Sequence, residues 1–597
     1  MRLSFFEMKN HSMIFVCVVL QSFWPVTAKA QWSTDPGENT AVTNSQGMIT
    51  MPHVAMTPSG NSYISWYSAT EGFRFDSYLQ CFGINGNKLW GTEGLLVSNH
   101  PTFTWVSDYG LAVDKKGYAI LAFQDIRDGV SNAFAYRIAP DGTFNWGADG
   151  IRITDNPDEN WWPQITVTDD NESIFLYSDI PSNDSIDNWK IGFQKVDSTG
   201  NKVWNETILF NPDLDYYMPQ MLPTEQGNLI ISWLAKSGTP DTVMGQINFF
   251  HVYLQKYDHN GQPMWANPIQ ADSGNHMAFN SVYTIPYLVN NGADGAYVVW
   301  QSVSLGVPTV RVNNIATDGT ALWKASGIEA ETNLMLQSMS PSAYYDKAAD
   351  KLYVFYLVNG KNVTSWSVGG QKLSTEGERL WGNEAKLMVP YLYSVDSSYI
   401  ASFIRPAPEN RLCLFYEKAY KSVSGNDTLV QGDLYAGLLD ADGNYIWPGD
   451  NVLVSSAVGN KLYFTAGEYS EGQWITAWTD YRQHPLQALF SNIYAQNVSI
   501  NGTLGPLSAG EPARVTSPVL TCYPNPACDV LHIQIDGVTG LKGDVEVKIY
   551  DIQGKEILNG NYSRTPFNFD IKSLKPGMYI LGAKNNQYVF NQKLIVQ

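Results

Sequence analysis

The sequence predicts an all-β protein, an eight-bladed β-propeller of four-stranded blades followed by a small Ig-like β-sandwich. Three observations carry that prediction. A landmark turn recurs eight times at a mean spacing of about 59 residues, a period that belongs to repeat architectures. Aromatic residues make up 13% of the chain and charged residues only 16%, the balance of side chains that pack on pleated surfaces. After residue 518 the repeat stops, and about seven short alternating strands separated by turn signals take its place.

The N-terminus comes first. Arg2 and Lys9 supply positive charge, residues 13–24 are mostly apolar, and Ala28-Lys29-Ala30 is a small-x-small site. Residues 1–30 therefore read as a secretory signal cleaved between Ala30 and Gln31. Cys17 does not make it a lipoprotein signal, because Val16 is not small and the apolar run continues past it. No later stretch is long and apolar enough to cross a bilayer as a helix, so the expectation is a mature protein with no transmembrane span.

Residues 31–512 hold the repeat. A turn glycine stands four residues before a tryptophan at Gly86 and Trp90, Gly142 and Trp146, Gly200 and Trp204, Gly261 and Trp265, Gly319 and Trp323, Gly377 and Trp381, and Gly443 and Trp447; Gly502 continues the series with Pro506 in place of the tryptophan. Asn-Gly and Asp-Gly between apolar strands are strong hairpin signals, because both turn positions need positive φ. In phase with these, an aromatic residue follows another turn at Trp66, Phe123, Tyr177, Trp233, Trp300, Tyr356, Tyr416 and Trp478. Each unit thus reads strand, tight turn, strand, variable loop, strand, tight turn, strand. Several first strands carry a proline (Pro52, Pro163, Pro219, Pro341), tolerated at a strand's start. Six residues before the turn glycine stand Gln80, Gln194, Gln255, Asn313, Gln371 and Gln496, read as amides that satisfy backbone groups between blades. Radial closure of eight such units leaves only short edges.

Charge excludes some functions. The net charge is −19; residues 1–30 contribute +2 and 519–597 contribute +1, which leaves −22 on the body. Phosphate backbones and anionic lipid surfaces repel such a body, so no nucleic-acid partner is expected. Outside the signal the cysteines are Cys81, Cys413, Cys522 and Cys528, with no metal-ligand spacing. Whether Cys522 and Cys528 pair is open in the sequence.

Two resemblances rest on specific residues. Residues 195–204, Lys-Val-Asp-Ser-Thr-Gly-Asn-Lys-Val-Trp, resemble the tryptophan-docking repeat of pyrroloquinoline-quinone-type propellers, which implies the fold; the vicinal cysteine pair of those enzymes is missing. The second covers the whole of 519–597. Cys522-Tyr523-Pro524-Asn525-Pro526, Leu531-His532-Ile533, Val547-Lys548-Ile549-Tyr550-Asp551, Leu574-Lys575-Pro576-Gly577-Met578-Tyr579 and Lys593-Leu594-Ile595-Val596 are together similar to the type A C-terminal sorting domain of the type IX secretion system of Bacteroidetes. The resemblance implies the secretion machinery as a partner and the outer-membrane surface or exterior of a Gram-negative bacterium as the destination. It also implies loss of the domain after a linker at 513–518.

The two sets of connections differ. One set is uniformly tight; the other is long and variable, and diversity concentrated on one face marks where binding sites sit. That face is expected to carry Phe73, Phe75, Trp105, Trp161, Trp162, Trp189, Tyr216, Tyr217, Tyr391 and Tyr393, rings suited to stacking on sugars or gripping a peptide. Asp125 with Arg127 and Asp480 with Arg482 are expected to be salt bridges at blade edges. Catalytic residues are unknown from sequence: the eight histidines show no HExxH spacing and no link to a nucleophilic serine. The acidic loops 155–159 and 213–215 are the places where Ca²⁺ binding is conceivable; otherwise no metal and no cofactor is expected. Ser185, Thr242 and Thr428 lie in acidic-hydroxyl-apolar triplets that resemble the Bacteroidetes O-glycosylation motif. The leading reading is a secreted non-catalytic binder of glycan or protein, and the alternative is an extracellular polysaccharide hydrolase or lyase with a carboxylate site in the funnel.

Overall fold

The computed structural model describes residues 31–597 except 71–73, 101, 103–108, 182–187, 210, 212–213, 237–249, 273–276, 279–284, 305–306, 334–335, 361–364, 425–426, 488, 508–518, 524, 537–544, 563–566 and 585–588. Residues 1–30, read above as a signal, and 513–518, read as a linker, lie outside the described residues.

The propeller is built as expected from antiparallel meanders. Unit 1 comprises Ile49–Met56, Ser62–Ala69, Phe75–Phe82 and Leu95–Ser98; unit 2 runs from Gly110–Val113 to Ile151–Arg152. Unit 3 comprises Glu159–Val167, Ser173–Ile180, Lys190–Val196 and Thr207–Leu209, and unit 4 comprises Tyr216–Pro223, Leu229–Lys236, Phe250–Tyr257 and Ile269–Gln270. Units 5, 6 and 7 begin at Tyr287–Asn290, Leu336–Asp346 and Ser397–Ala407. The short strand Met277–Ala278 pairs with both unit 4 and unit 5, which joins them into one sheet.

Among the described residues the apolar core lies between sheets, in clusters each shared by two consecutive units. Ile120, Ala122, Trp146, Phe175 and Tyr177 join units 2 and 3, and Ile230, Leu234, Trp265, Val298 and Trp300 join units 4 and 5. The cluster Trp32, Val42, Ile64, Trp66, Ile475 and Ile493 joins unit 8 back to unit 1. The recurring second-strand aromatics, Trp66 through Trp478, are all buried, so the periodic aromatics are the core.

Unit 8 is where sequence and structure part. Among the described residues its chain supplies Lys461–Ala466, Gln473–Asp480 and Asn492–Ser499; the fourth strand is Thr40–Ala41, paired with Ala495 and Tyr494. The tryptophan missing after Gly502 is Trp32. In each unit the indole seats against the turn glycine of the next, and in seven cases its Nε1–H donates to the carbonyl two residues before that glycine, at 2.8–3.3 Å. Trp32 does this to Ile84, two before Gly86. A Cβ on Gly86 would lie 2.4 Å from Trp32 N and 2.7 Å from its ring, and φ there is +90°, so only glycine fits. The strand amides complete the motif in part: Gln80 Nε2 donates to the Gly91 carbonyl (2.8 Å), Gln371 to Gly382 (2.9 Å) and Gln496 to Ser33 (2.7 Å), in each case the residue after the tryptophan. Gln255 donates to the Trp265 carbonyl itself (3.1 Å), and Gln194 Nε2 has no partner among the described residues. These partners lie on the tryptophan turn of the amide's own unit, so the amides tie down a turn within a blade instead of bridging blades as expected; Asn313, which donates to the Ala271 carbonyl of unit 4 (2.9 Å), is one that does bridge.

Residues 519–597 form two sheets. Val519–Tyr523, Val530–Asp536 and Phe567–Asp570 make one; Glu556–Tyr562, Val545–Asp551, Gly577–Lys584 and Val589–Val596 make the other. Leu531, Ile533, Val547, Ile549, Phe569, Leu581 and Leu594 fill the space between. Cys522 is buried, Cys528 is exposed, and the two are not bonded.

Candidate functional site

The variable face gathers four of the expected rings into one ribbon at the seam of units 3 and 4. Its origin is a β-bulge. Pro163 lacks an N–H and disfavours the helical region for the residue before it, and the pairing of unit 3's first strand shifts register between Trp161 and Gln164. Trp162 sits at φ +54°, and its N–H is accepted by Gln124 Oε1 of unit 2 at 2.8 Å. Unit 4 repeats the bulge with Tyr217 before Met218 (φ +49°) and Pro219. A bulge interrupts the two-residue alternation of a strand, so neighbouring aromatics can both reach the surface.

Ring centroids are 6.1 Å apart for Trp161–Trp162, 5.7 Å for Trp162–Trp189 and 5.0 Å for Trp189–Tyr217, and Tyr217 rests on buried Phe250 at 5.3 Å. All four exposed-face rings are half-buried. Carboxylates hold both ends. Glu159 accepts the Trp161 Nε1–H at 3.0 Å, while Asp215 accepts the Trp189 N–H at 3.1 Å and the Tyr217 hydroxyl at 3.0 Å, as well as the Asn188 N–H.

Beside the ribbon lies a polar cluster. Lys190 Nζ bonds Asp158 at 2.8 Å and stands 3.6 Å from Asp179, whose other oxygen accepts from Asn156 (2.7 Å) and Asn160 (3.1 Å). Burial, with a further push from Asp158 that opposes the pull of Lys190, raises the Asp179 carboxyl to about 7. Glu206 accepts from the Tyr177 hydroxyl and from Asn156 (2.9 Å).

Other expected residues fall elsewhere. Tyr216 is not on the surface: it is 4% exposed, with its ring 5.0 Å from Trp233, because the strand turns it to the core side opposite Tyr217. Phe75 is likewise buried, on a third strand. Tyr391 and Tyr393 pair with each other at 5.7 Å on unit 6, apart from the ribbon, and Tyr393 is 77% exposed. Trp105, Phe73, Ser185 and Thr242 lie outside the described residues; Thr428 is exposed on the long third strand of unit 7. Asp125–Arg127 (2.5 Å) and Asp480–Arg482 (2.7 Å) are buried ion pairs, and Arg482 also grips the closing strand at Asn39 Oδ1 (2.9 Å). In the loop 155–159, Asp155 pairs with Lys202 at 2.5 Å, and among the described residues no three His, Cys, Asp or Glu side chains are placed to hold a metal ion. The anchoring roles of Glu159, Asp215 and Gln124 were not foreseen; the signal available for the first two was an acidic residue two positions from an aromatic one.

Residues 521–597 match a family described as the secretion system C-terminal sorting domain. The chain therefore carries a type IX sorting domain, and the protein is secreted to the cell surface or the extracellular space. No curated protein matches the chain. Solved structures similar to it include the Dos1 propeller (11% identity, 81% of this chain and 98% of that one, TM-score 0.38). A protein of unknown function from Dyadobacter fermentans (10% identity, 76% and 97%, TM-score 0.35) is another. So is the α-L-arabinofuranosidase Arb93A from Fusarium graminearum (14% identity, 55% and 92%, TM-score 0.34).

Proposed function

We propose that this secreted propeller binds an extended partner, a glycan in the first place, along the Trp161–Trp162–Trp189–Tyr217 ribbon, without catalysis. The observation that carries the reading is the ribbon itself: four half-buried rings in a row, on the face where connections vary, with the end rings bonded to Glu159 and Asp215. Amphipathic rings with satisfied polar edges are the usual means of gripping a sugar face or an apolar side chain. A glycan array probed with the secreted protein, alongside Trp161→Ala and Trp189→Ala, tests it. Binding lost in both variants with the fold intact supports the reading, and unfolding of both would assign the rings to the core.

The Asp158–Asp179 pair favours a second reading, a polysaccharide hydrolase or lyase. A carboxyl raised to about 7 beside a second carboxylate has the protonation split of a general acid and its partner. Release of reducing ends or unsaturated products from any polysaccharide, abolished by Asp179→Asn, would establish that reading in place of the first.

A further inference from the structure

We propose that the partner of the ribbon is a cationic polysaccharide, a chain of unacetylated amino sugars, in preference to a neutral or an acidic one; this rests on the ribbon being the binding surface. Three features of the seam point there. The first is the spacing of the rings. Successive centroids 5.0–6.1 Å apart match the advance of one sugar ring along a chain, and neighbouring planes turn by 66° between Trp161 and Trp162, by 35° between Trp162 and Trp189 and by 41° between Trp189 and Tyr217. A continuous row of this length suits a chain of consecutive sugars, whereas a basic side chain on a peptide would meet one ring at a time.

The second feature is charge. Asp155, Asp158, Glu159, Asp179, Glu206 and Asp215 surround the ribbon, and the cations of the described residues there are already committed. Lys190 is bonded to Asp158, Lys202 to Asp155, and Arg152 to Asn132 (2.8 Å) and the Asn156 carbonyl (3.0 Å). An incoming uronate or sulfate would meet a negative field, and an ammonium group would meet an attractive one.

The third is the chemistry of the faces. An ammonium group over an indole or phenol face is drawn to the ring quadrupole. Here the donor edges of the end rings are turned to Glu159 and Asp215, which increases the negative character of the ribbon.

The test is calorimetric titration of the secreted full-length protein with three probes: a fully deacetylated chitosan hexamer, its N-acetylated counterpart and a galacturonate oligomer. The deacetylated hexamer should bind about 5-fold tighter than the acetylated one, the ratio expected of a partly exposed cation–π contact, with the galacturonate weakest. Glu159→Gln keeps an acceptor for the Trp161 indole and should narrow that gap, as should added salt. If the acetylated or acidic oligomer binds as tightly as the cationic one, the charge inference is overturned; the ribbon reading survives provided Trp162→Ala still weakens binding. If Trp162→Ala changes nothing, the ribbon reading falls and this inference falls with it.

Discussion

The propeller holds two populations of tryptophan that differ in what surrounds them. Around the tight-turn side, Trp32, Trp90, Trp146, Trp204, Trp265, Trp323, Trp381 and Trp447 recur once per unit, each set against a glycine of the next unit and most bonded to its turn carbonyl. On the variable side, Trp161, Trp162 and Trp189 occur in a single unit and touch one another. The first set repeats because every seam needs the same lock. The seam positions equivalent to Trp162 hold Met51, Met218 and Ser340, so closure of the ring does not require an indole there, and the second set is the one proposed to serve a ligand. Periodicity thus separates the tryptophans that hold the fold from those proposed to bind.

The largest effect should come from Trp32→Ala. It empties the eighth lock and frees the strand that closes the ring, so the loss should reach about 5 kcal/mol, the upper end for a buried tryptophan. Chemical denaturation checks it, and a loss no greater than that of an interior lock would mean the N-terminal strand does not hold the ring shut. Trp265→Ala, with the indole 7% exposed and its N–H on the Thr317 carbonyl at 2.9 Å, should cost about 3–5 kcal/mol without altering ligand preference.

A finer contrast lies within the belt. Trp323 donates to the Thr375 carbonyl at 2.8 Å, whereas the Trp381 indole N–H has no partner among the described residues. Trp323→Phe should therefore cost about 1 kcal/mol more than Trp381→Phe, the net worth of one hydrogen bond, as a difference in denaturation midpoints.

A further effect concerns pH. At the residue after the second-strand aromatic, Gln124, Gln301 and Thr479 accept the N–H of the next unit's bulge at 2.8–3.2 Å, but unit 7 places Glu417 there. Burial raises Glu417 to about 8 against an ordinary 4.5, with Lys461 opposing. The folded protein keeps a proton that the unfolded chain has released above 4.5, so this group's contribution to stability should fall as pH rises from 4.5 to about 8. Glu417→Gln should flatten that decline in melting temperature measured across the window.

The repeat was legible because its landmarks are local: a turn glycine, a tryptophan four residues on, a second-strand aromatic. The closure was not, because Pro506 occupies the expected place and the substitute, Trp32, is separated from Gly502 by nearly the whole ring. Local spacing carries no trace of a contact across that distance. The ribbon was half legible. Trp161, Trp162, Trp189 and Tyr217 stood out as aromatics outside the repeat, yet Tyr216 and Tyr217 could not be told apart. The bulge after Tyr217 breaks the alternation by which a sequence assigns faces, and only the structure shows which ring turns inward.

The central claim, that the ring-to-ring ribbon binds while the periodic belt holds the fold, is tested most directly by Trp162→Ala. Binding of the secreted variant to the deacetylated chitosan hexamer should be compared with wild type at equal folded fraction. The account predicts affinity at least about 10-fold weaker, the scale of a central interface residue, with a melting temperature far closer to wild type than that of Trp265→Ala. Undiminished binding, or a collapse in melting temperature as deep as that of Trp265→Ala, would contradict it.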